Sequence, residues 1–408
     1  MAVRIERLRA DLDALAAIGD TGDGGNCRLA LTDEDAGGRE LVVGWMRDLG
    51  LAVRVDRIGN VVGVRAGTEA GAAEVMVGSH IDTVRTGGRL DGTYGVLAGL
   101  EVVRALDDAG VRTRRPVSVA FFTDEEGSRW HPDMLGSLVY AGGLDLEAAL
   151  ATVGDGGAVL GDELARIGWA GTEAVPGPVP HAYVELHIEQ GPVLEREGVT
   201  IGAVTGVQGI TWLEVVLRGQ SNHAGTTPLA LRHDAGVVAA AAVTAVRRVV
   251  ADAGPPAVGT VGRIRFHPDL TNVVPATATL TIDLRHTDAG VLAALERSIR
   301  EAIDEAAAAE GVTVETRDLA RFDPVDFDPA VVDLVEATAT AHGFPVRRLP
   351  SGAGHDAQML ARVGPAGMIF VPSIAGISHN PAESTSDADL AAGLTVLHDV
   401  VVTLAEGA

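Results

Sequence analysis

Lysine is absent from this chain of 408 residues, so its 32 basic side chains are all arginines, and 56 aspartates and glutamates outnumber them to give a formal charge of −24. Phosphate backbones and anionic lipid need a positive surface, so neither nucleic acid nor membrane is expected as a partner. Cysteine is almost missing too. Cys27 stands alone, which excludes an intrachain disulfide and a thiolate metal cluster. Aromatic residues make up 3% against 47% hydrophobic residues, so the core must be built mainly from Ala, Val, Leu and Gly. Long apolar runs are also lacking. The longest, Val237 to Val246, is too short to span a bilayer, and Ile5, Leu8, Leu12 and Leu15 form a helical stripe among charges rather than a signal core. These absences lead to the expectation of a soluble cytoplasmic protein, with length enough for two domains.

Against these absences, glycine and metal-compatible side chains concentrate in Gly78 to Glu101, GSHIDTVRTGGRLDGTYGVLAGLE. The apolar run Glu74 to Val77 predicts a buried strand, which places His80 and Asp82 at its carboxyl end. Active sites of open α/β sheets collect at that edge. Gly87 and Gly88 make a tight turn that delivers Asp91, and a helix is expected from Val96 to Ala109. The loop lacks the lysine and serine of a phosphate-binding loop.

Along the chain, Pro116 to Phe122 predicts a buried parallel strand ending at Thr123, Asp124, Glu125 and Glu126. Ala182 to Leu186 predicts another, followed by His187, Glu189 and Gln190. After Gly206 the pattern changes. Residues 211–217, 258–266 and 276–285 alternate apolar with polar, as half-exposed antiparallel strands do, with helices expected at 234–251 and 289–309. The order strand, helix, strand, strand, helix, strand predicts an inserted split βαβ unit. Strand and helix alternation resumes from Pro329, bringing His355 and His379 to further strand ends. The predicted architecture is α/β: a discontinuous catalytic domain over 1–209 and 326–408, with a mixed sheet, and a smaller α+β domain over 210–325.

A two-ion hydrolytic site needs nitrogen and oxygen ligands, a carboxylate able to bridge, and a separate base for water. His80, Asp91, Glu126, His187 and His379 are the candidate ligands, with Glu125 left over. Neighbouring residues leaving a strand point in different directions, so Glu125 and Glu126 take different roles. Asp82, two residues past His80, is placed to orient its imidazole. His131, His181, His233, His267 and His286 read as surface or packing residues.

The motifs GSHIDTV, GGRLDGTYGVLAGLE, TDEEGSRW, ELHIEQGPVLE, SNHAGTTPLALRHDA, TIDLRH, SGAGHDAQ and MIFVPSIAGISHNPAE resemble, in order, those of the metal-dependent N-carbamoyl-L-amino acid hydrolases. These belong with β-ureidopropionases, allantoate amidohydrolases and the di-zinc peptidases and aminoacylases. The resemblance implies that Asp91 bridges two divalent ions, one held with Glu126 and His379 and the other with His80 and His187. Zinc is the expected metal, and manganese, cobalt or nickel accept the same donors. It implies Glu125 as catalytic base and a homodimer in which His223 of the smaller domain reaches a neighbouring active site. Gln190, Asn272, Arg285 and His355 match its substrate contacts. For Gln190 and Asn272 a backbone-bonding turn role stays open beside ligand contact, and Arg285 also has Asp283 or Asp288 as a possible partner. The implied reaction is hydrolysis of a linear ureido group, with allantoate or N-carbamoyl-β-alanine as alternative substrates. An aminoacylase or peptidase, and a binding protein without activity on the same fold, are the remaining readings. RWHPDML after the glutamate pair and AEST near the C-terminus depart from the family pattern.

Overall fold

The computed structural model describes residues 3–407, which form two compact units: one runs through Gly206 and resumes at Asp326, the other spans Val207–Val325. The first is built on a nine-stranded mixed sheet. Its centre consists of Val117–Phe122, Val75–His80, Ala182–Ile188 and Ala366–Val371, in that spatial order, every neighbouring pair parallel. Each of the four is buried along its whole length. That is why they read as continuous Val, Ala, Ile and Phe runs rather than alternating ones. Antiparallel strands Val61–Arg65 and Ile201–Val207 flank this centre and make the sheet mixed.

Parallel pairing sends every carboxyl end to one edge. Register decides what meets there: Val77 pairs with Val184, and three residues further along the two strands lie His80 and His187. The helix Thr93–Asp108 starts directly after Asp91 and Gly92, three residues before the expected start. Helix Asp387–Glu406 is long and apolar enough to cross a membrane by length and composition. Its buried face, Leu390, Leu394, Leu397, Val400 and Val401, instead lies in the protein core.

Two fully buried arginines brace the site edge, a use that suits the planar guanidinium fork better than an ammonium. Arg28 donates from Nε to the Ile81 carbonyl (2.7 Å) and from Nη1 to the Leu15 and Ile18 carbonyls (3.0 and 2.9 Å). Arg39 binds Asp35 (2.8 Å), the Gly59 carbonyl (2.7 Å) and Thr123 Oγ1 (3.1 Å). They fix the chain just beyond His80 and just before Glu125.

Nearby, Asp56 accepts from the Ile58 and Asn60 amides (3.0 and 2.9 Å) and from Asn60 Nδ2 (2.8 Å), while Asn60 Oδ1 accepts from the Thr123 amide (2.9 Å). Burial nevertheless pushes the Asp56 carboxyl up to about 6. The folded protein therefore keeps a proton that the unfolded chain has lost, and this group's contribution to stability falls as pH rises from 3.8 to about 6. Melting curves of wild type and Asp56→Asn across that window should diverge, wild type losing up to about 3 kcal/mol relative to the variant. A difference that does not change with pH contradicts this.

The second unit carries a four-stranded antiparallel sheet in the order Thr313–Phe322, Gly209–Arg218, Thr277–His286, Val258–His267. Helices Ala235–Ala253 and Ala289–Glu310 cover one face, and Val215, Leu217, Ala242, Val246, Leu280 and Ile299 form part of the shared core. Thr277–His286 alternates buried and half-buried residues along its whole length. Its outward positions, Thr277, Thr279, Thr281, Asp283 and Arg285, are all polar, as the period of two allows.

Candidate metal centre

His80 is the last residue of its strand, His187 lies one residue before the end of its own, and both side chains are 1% exposed. Nδ1 of His80 donates to the Asp82 carbonyl (2.9 Å) and Nδ1 of His187 to the Ile188 carbonyl (2.8 Å). A carbonyl only accepts, so each ring carries a proton on Nδ1 and turns Nε2 toward the cluster. That is the atom a metal ligand must present.

Asp91 sits among three imidazoles. Its Oδ1 is 3.1 Å from His187 Nε2 and 3.6 Å from His80 Nε2, and its Oδ2 is 3.3 Å from His379 Nε2. Glu126 Oε2 lies 3.4 Å from His379 Nε2, and Glu125 Oε2 3.4 Å from His80 Nε2. His80, Asp91 and His187 form one group able to hold a metal ion, and Asp91, Glu126 and His379 another, with Asp91 common to both. Glu125 belongs to neither, although it stands against the first. A further group, Glu185, His187 and His355, is already saturated: Glu185 accepts from Ser79 Oγ (2.6 Å), Tyr183 Oη (3.2 Å) and the Ala357 amide (2.8 Å).

Backbone geometry enforces this arrangement. Asp124, Gln190 and His379 all adopt the left-handed region, at φ 56°, 57° and 54°. Non-glycine residues pay strain there and cluster at functional sites. Gly92 has φ 65°, and a Cβ on it would come within 2.3 Å of His80 Nε2. Only glycine fits between Asp91 and that ring.

The electrostatics are those of a buried excess of carboxylates. Burial raises Glu125 well above the usual carboxylate range, and it pushes Glu126 up to about 8, with Asp91 adding repulsion. Burial opposes charge on His80, but Glu125 and the other acids around it outweigh this and raise its basicity well above the ordinary value. Contact with Asp91 pushes His379 up to about 9. Asp91 itself is buried, yet the histidines bonded to it hold it well below the usual range. Imidazole nitrogens and carboxylate oxygens without thiolate, with the excess charge negative, form a donor set that fits divalent cations.

Two expectations need correction. Asp82 does not orient His80 through its carboxylate, which is 3.8 Å from Nδ1; its main-chain carbonyl does so. The strand ends at His80, so the alternation that would put both side chains on one face stops there. The Asp82 carboxylate instead faces the Glu125 and Glu126 amides, each at 3.4 Å. His355 is 1% exposed, packs edge-on against His187 with ring centroids 4.6 Å apart, and bonds Ser351 Oγ (2.9 Å). It backs His187 rather than opening to a ligand. His355 also precedes helix Asp356–Leu360 as its cap residue.

Gln190 has a left-handed backbone, as a turn residue would, and its Nε2 donates to Asp91 Oδ2 (2.9 Å). In the second unit, His223 and Asn272 lie on adjoining segments, since His223 bridges to Val273 and the Ala224 amide donates to the Asn272 carbonyl (3.0 Å). His223 Nδ1 accepts from the Gly225 amide (3.0 Å), so in the neutral ring the proton sits on Nε2. Arg285 pairs with Asp283, two residues away on the same strand face, through Nε to Oδ1 (3.1 Å) and Nη2 to Oδ2 (2.9 Å).

Sequence reasoning gave no role to Glu383, although it closes the SHNPAE motif. Its Oε1 accepts from the Leu90 and Asp91 amides (both 3.1 Å) and its Oε2 from Ser378 Oγ (2.8 Å).

A mixed sheet whose parallel edge gathers imidazoles and carboxylates around one shared aspartate defines a metal-dependent hydrolase. The chain belongs to the Peptidase family M20/M25/M40, which it matches over residues 76–403. It is 43% identical over 404 residues to an N-carbamoyl-L-amino-acid amidohydrolase of Rhizobium meliloti, covering 99% of this chain and 97% of that protein. An N-carbamoyl-L-amino acid amidohydrolase of Geobacillus stearothermophilus is 39% identical, with 98% and 99% covered. Among solved structures, an amidase of the hydantoinase/carbamoylase family from Burkholderia multivorans superposes with a TM-score of 0.95 at 45% identity, covering 99% of this chain and 98% of that one.

Proposed function

We propose that this protein hydrolyses the linear ureido bond of N-carbamoyl-L-amino acids, using two divalent ions, zinc in the first instance. The observation that carries the reading is Asp91, whose two oxygens face two separate donor groups, His80 with His187 and Glu126 with His379. The names of the relatives, at 43% and 39% identity over nearly the whole chain, supply the substrate class.

Bound ions would supply the Lewis acidity that polarises the ureido carbonyl and acidifies water. Glu125, buried and outside both donor groups, accepts the proton from the attacking water and returns it to the departing nitrogen. The C–N bond to the amino acid breaks, giving the free amine and carbamic acid, which falls to carbon dioxide and ammonia. Asp82 holds the Glu125 and Glu126 amides, which keeps the base and the ligand apart. His223, with Nε2–H available, is the donor for the oxyanion, and it serves the active site of a second copy in a cytoplasmic homodimer. Arg285 binds the substrate carboxylate by exchanging Asp283 for it, as a planar fork permits. Gln190 and Asn272 complete the substrate contacts through their amides.

The test is amine and ammonia release by zinc-loaded protein from N-carbamoyl-L-amino acids, their D-enantiomers, N-carbamoyl-β-alanine, allantoate and N-acetyl amino acids. The reading requires the L-ureido acids to give the highest kcat/KM. Preference for allantoate, N-carbamoyl-β-alanine or the acetyl compounds moves the protein to another substrate class, and inactivity on all of them leaves a binding protein.

A further inference from the structure

Glu383 ties together two loops that are far apart in the sequence, each of which delivers a donor to the centre. One carboxylate oxygen collects the amides of Leu90 and Asp91, and the other takes the hydroxyl of Ser378, the residue before His379. Ser378 Oγ also lies 3.4 Å from Asp91 Oδ2. Glu383 is 7% exposed, and its carboxylate crosses directly over Gly88, where a Cβ would meet Oε1 at 2.1 Å. Gly88 is thus needed for this passage, beyond any need of the turn.

His379 is the ligand candidate most in need of such support. Its side chain is half exposed, its backbone is left-handed, and it stands in a loop rather than at a strand terminus. His80 and His187, by contrast, are held by a buried parallel sheet and by main-chain carbonyls.

We propose that Glu383 is a positioning residue that sets the spacing of Asp91 and His379, and so governs the affinity of the metal position shared by Asp91, Glu126 and His379 but not that of His80, Asp91 and His187. This rests on the two-ion reading above. Its effect is exerted through hydrogen bonds to the ligand loops and not by contact with substrate.

The test is zinc binding by metal-free protein, followed by calorimetry with a competing chelator, which needs no turnover. Wild type should show two binding steps. In Glu383→Ala one step should weaken by about 10- to 100-fold, the usual cost of losing an outer partner, while the other holds. Circular dichroism of Glu383→Ala should be native, and a cavity of about 250 Å³ bordered by Leu90 and Glu383 lies beside the amide that loses its partner. Glu383→Gln should restore the weakened step, because its amide oxygen accepts from both backbone amides and its NH2 donates to Ser378 Oγ. Ser378→Ala should weaken the same step by a smaller factor.

Unchanged affinities in Glu383→Ala, equal weakening of both steps, or failure of Glu383→Gln to rescue would overturn the proposal. Two intact steps in wild type with any of these results leave the two-ion reading standing. No zinc binding by wild type sinks both.

Discussion

Glu125→Gln should keep its full complement of metal and lose about 10²- to 10⁴-fold in kcat, the range that general acid–base groups contribute. The amide has the shape of the acid but cannot take a proton from water or hand one to the leaving nitrogen. Glu125 stands outside both donor groups, with its Oε2 3.4 Å from His80 Nε2, so the exchange leaves every proposed ligand in place. Metal analysis and turnover on the same sample separate the two quantities. Loss of metal together with activity would make Glu125 a ligand, and full activity would remove it from the chemistry.

Asp91→Asn should be more damaging to binding than any outer-residue change. The carboxylate is the one group common to both donor sets, with three imidazole nitrogens within 3.1 to 3.6 Å. An amide offers one oxygen and turns an NH2 toward nitrogens that should face a cation. Both binding steps should weaken beyond the about 100-fold expected for an outer partner, and hydrolysis should fall to background. The backbone stays anchored by Glu383, so circular dichroism should be native. Retention of one unperturbed binding step would show that Asp91 serves a single ion.

Much of this centre was legible because it is organised by strand ends. His80, Glu125, Glu126 and His187 each follow a short apolar run, and parallel pairing of those runs takes them to the same edge. Asp91 was legible from its glycine-rich turn and the helix behind it. What escaped the sequence depends on where the chain stops being regular. Asp82 lies just past the last residue of its strand, so its carboxylate and carbonyl exchange the roles that alternation suggests. His355 comes four residues after strand Val346–Ser351, and only its packing against His187 shows that it faces inward. The contacts of Glu383 with the Leu90 and Asp91 amides span 293 and 292 residues, and no local pattern encodes them. Arg285 illustrates the opposite case: its pairing with Asp283 follows from a separation of two along one strand face.

The most direct test of a two-ion ureido hydrolase is to strip the protein with a chelator and return zinc stepwise, following hydrolysis of an N-carbamoyl-L-amino acid. Negligible hydrolysis should be seen in the stripped protein, with full activity recovered when two equivalents are bound. A stripped protein that hydrolyses the substrate at the original rate would contradict the account at its centre.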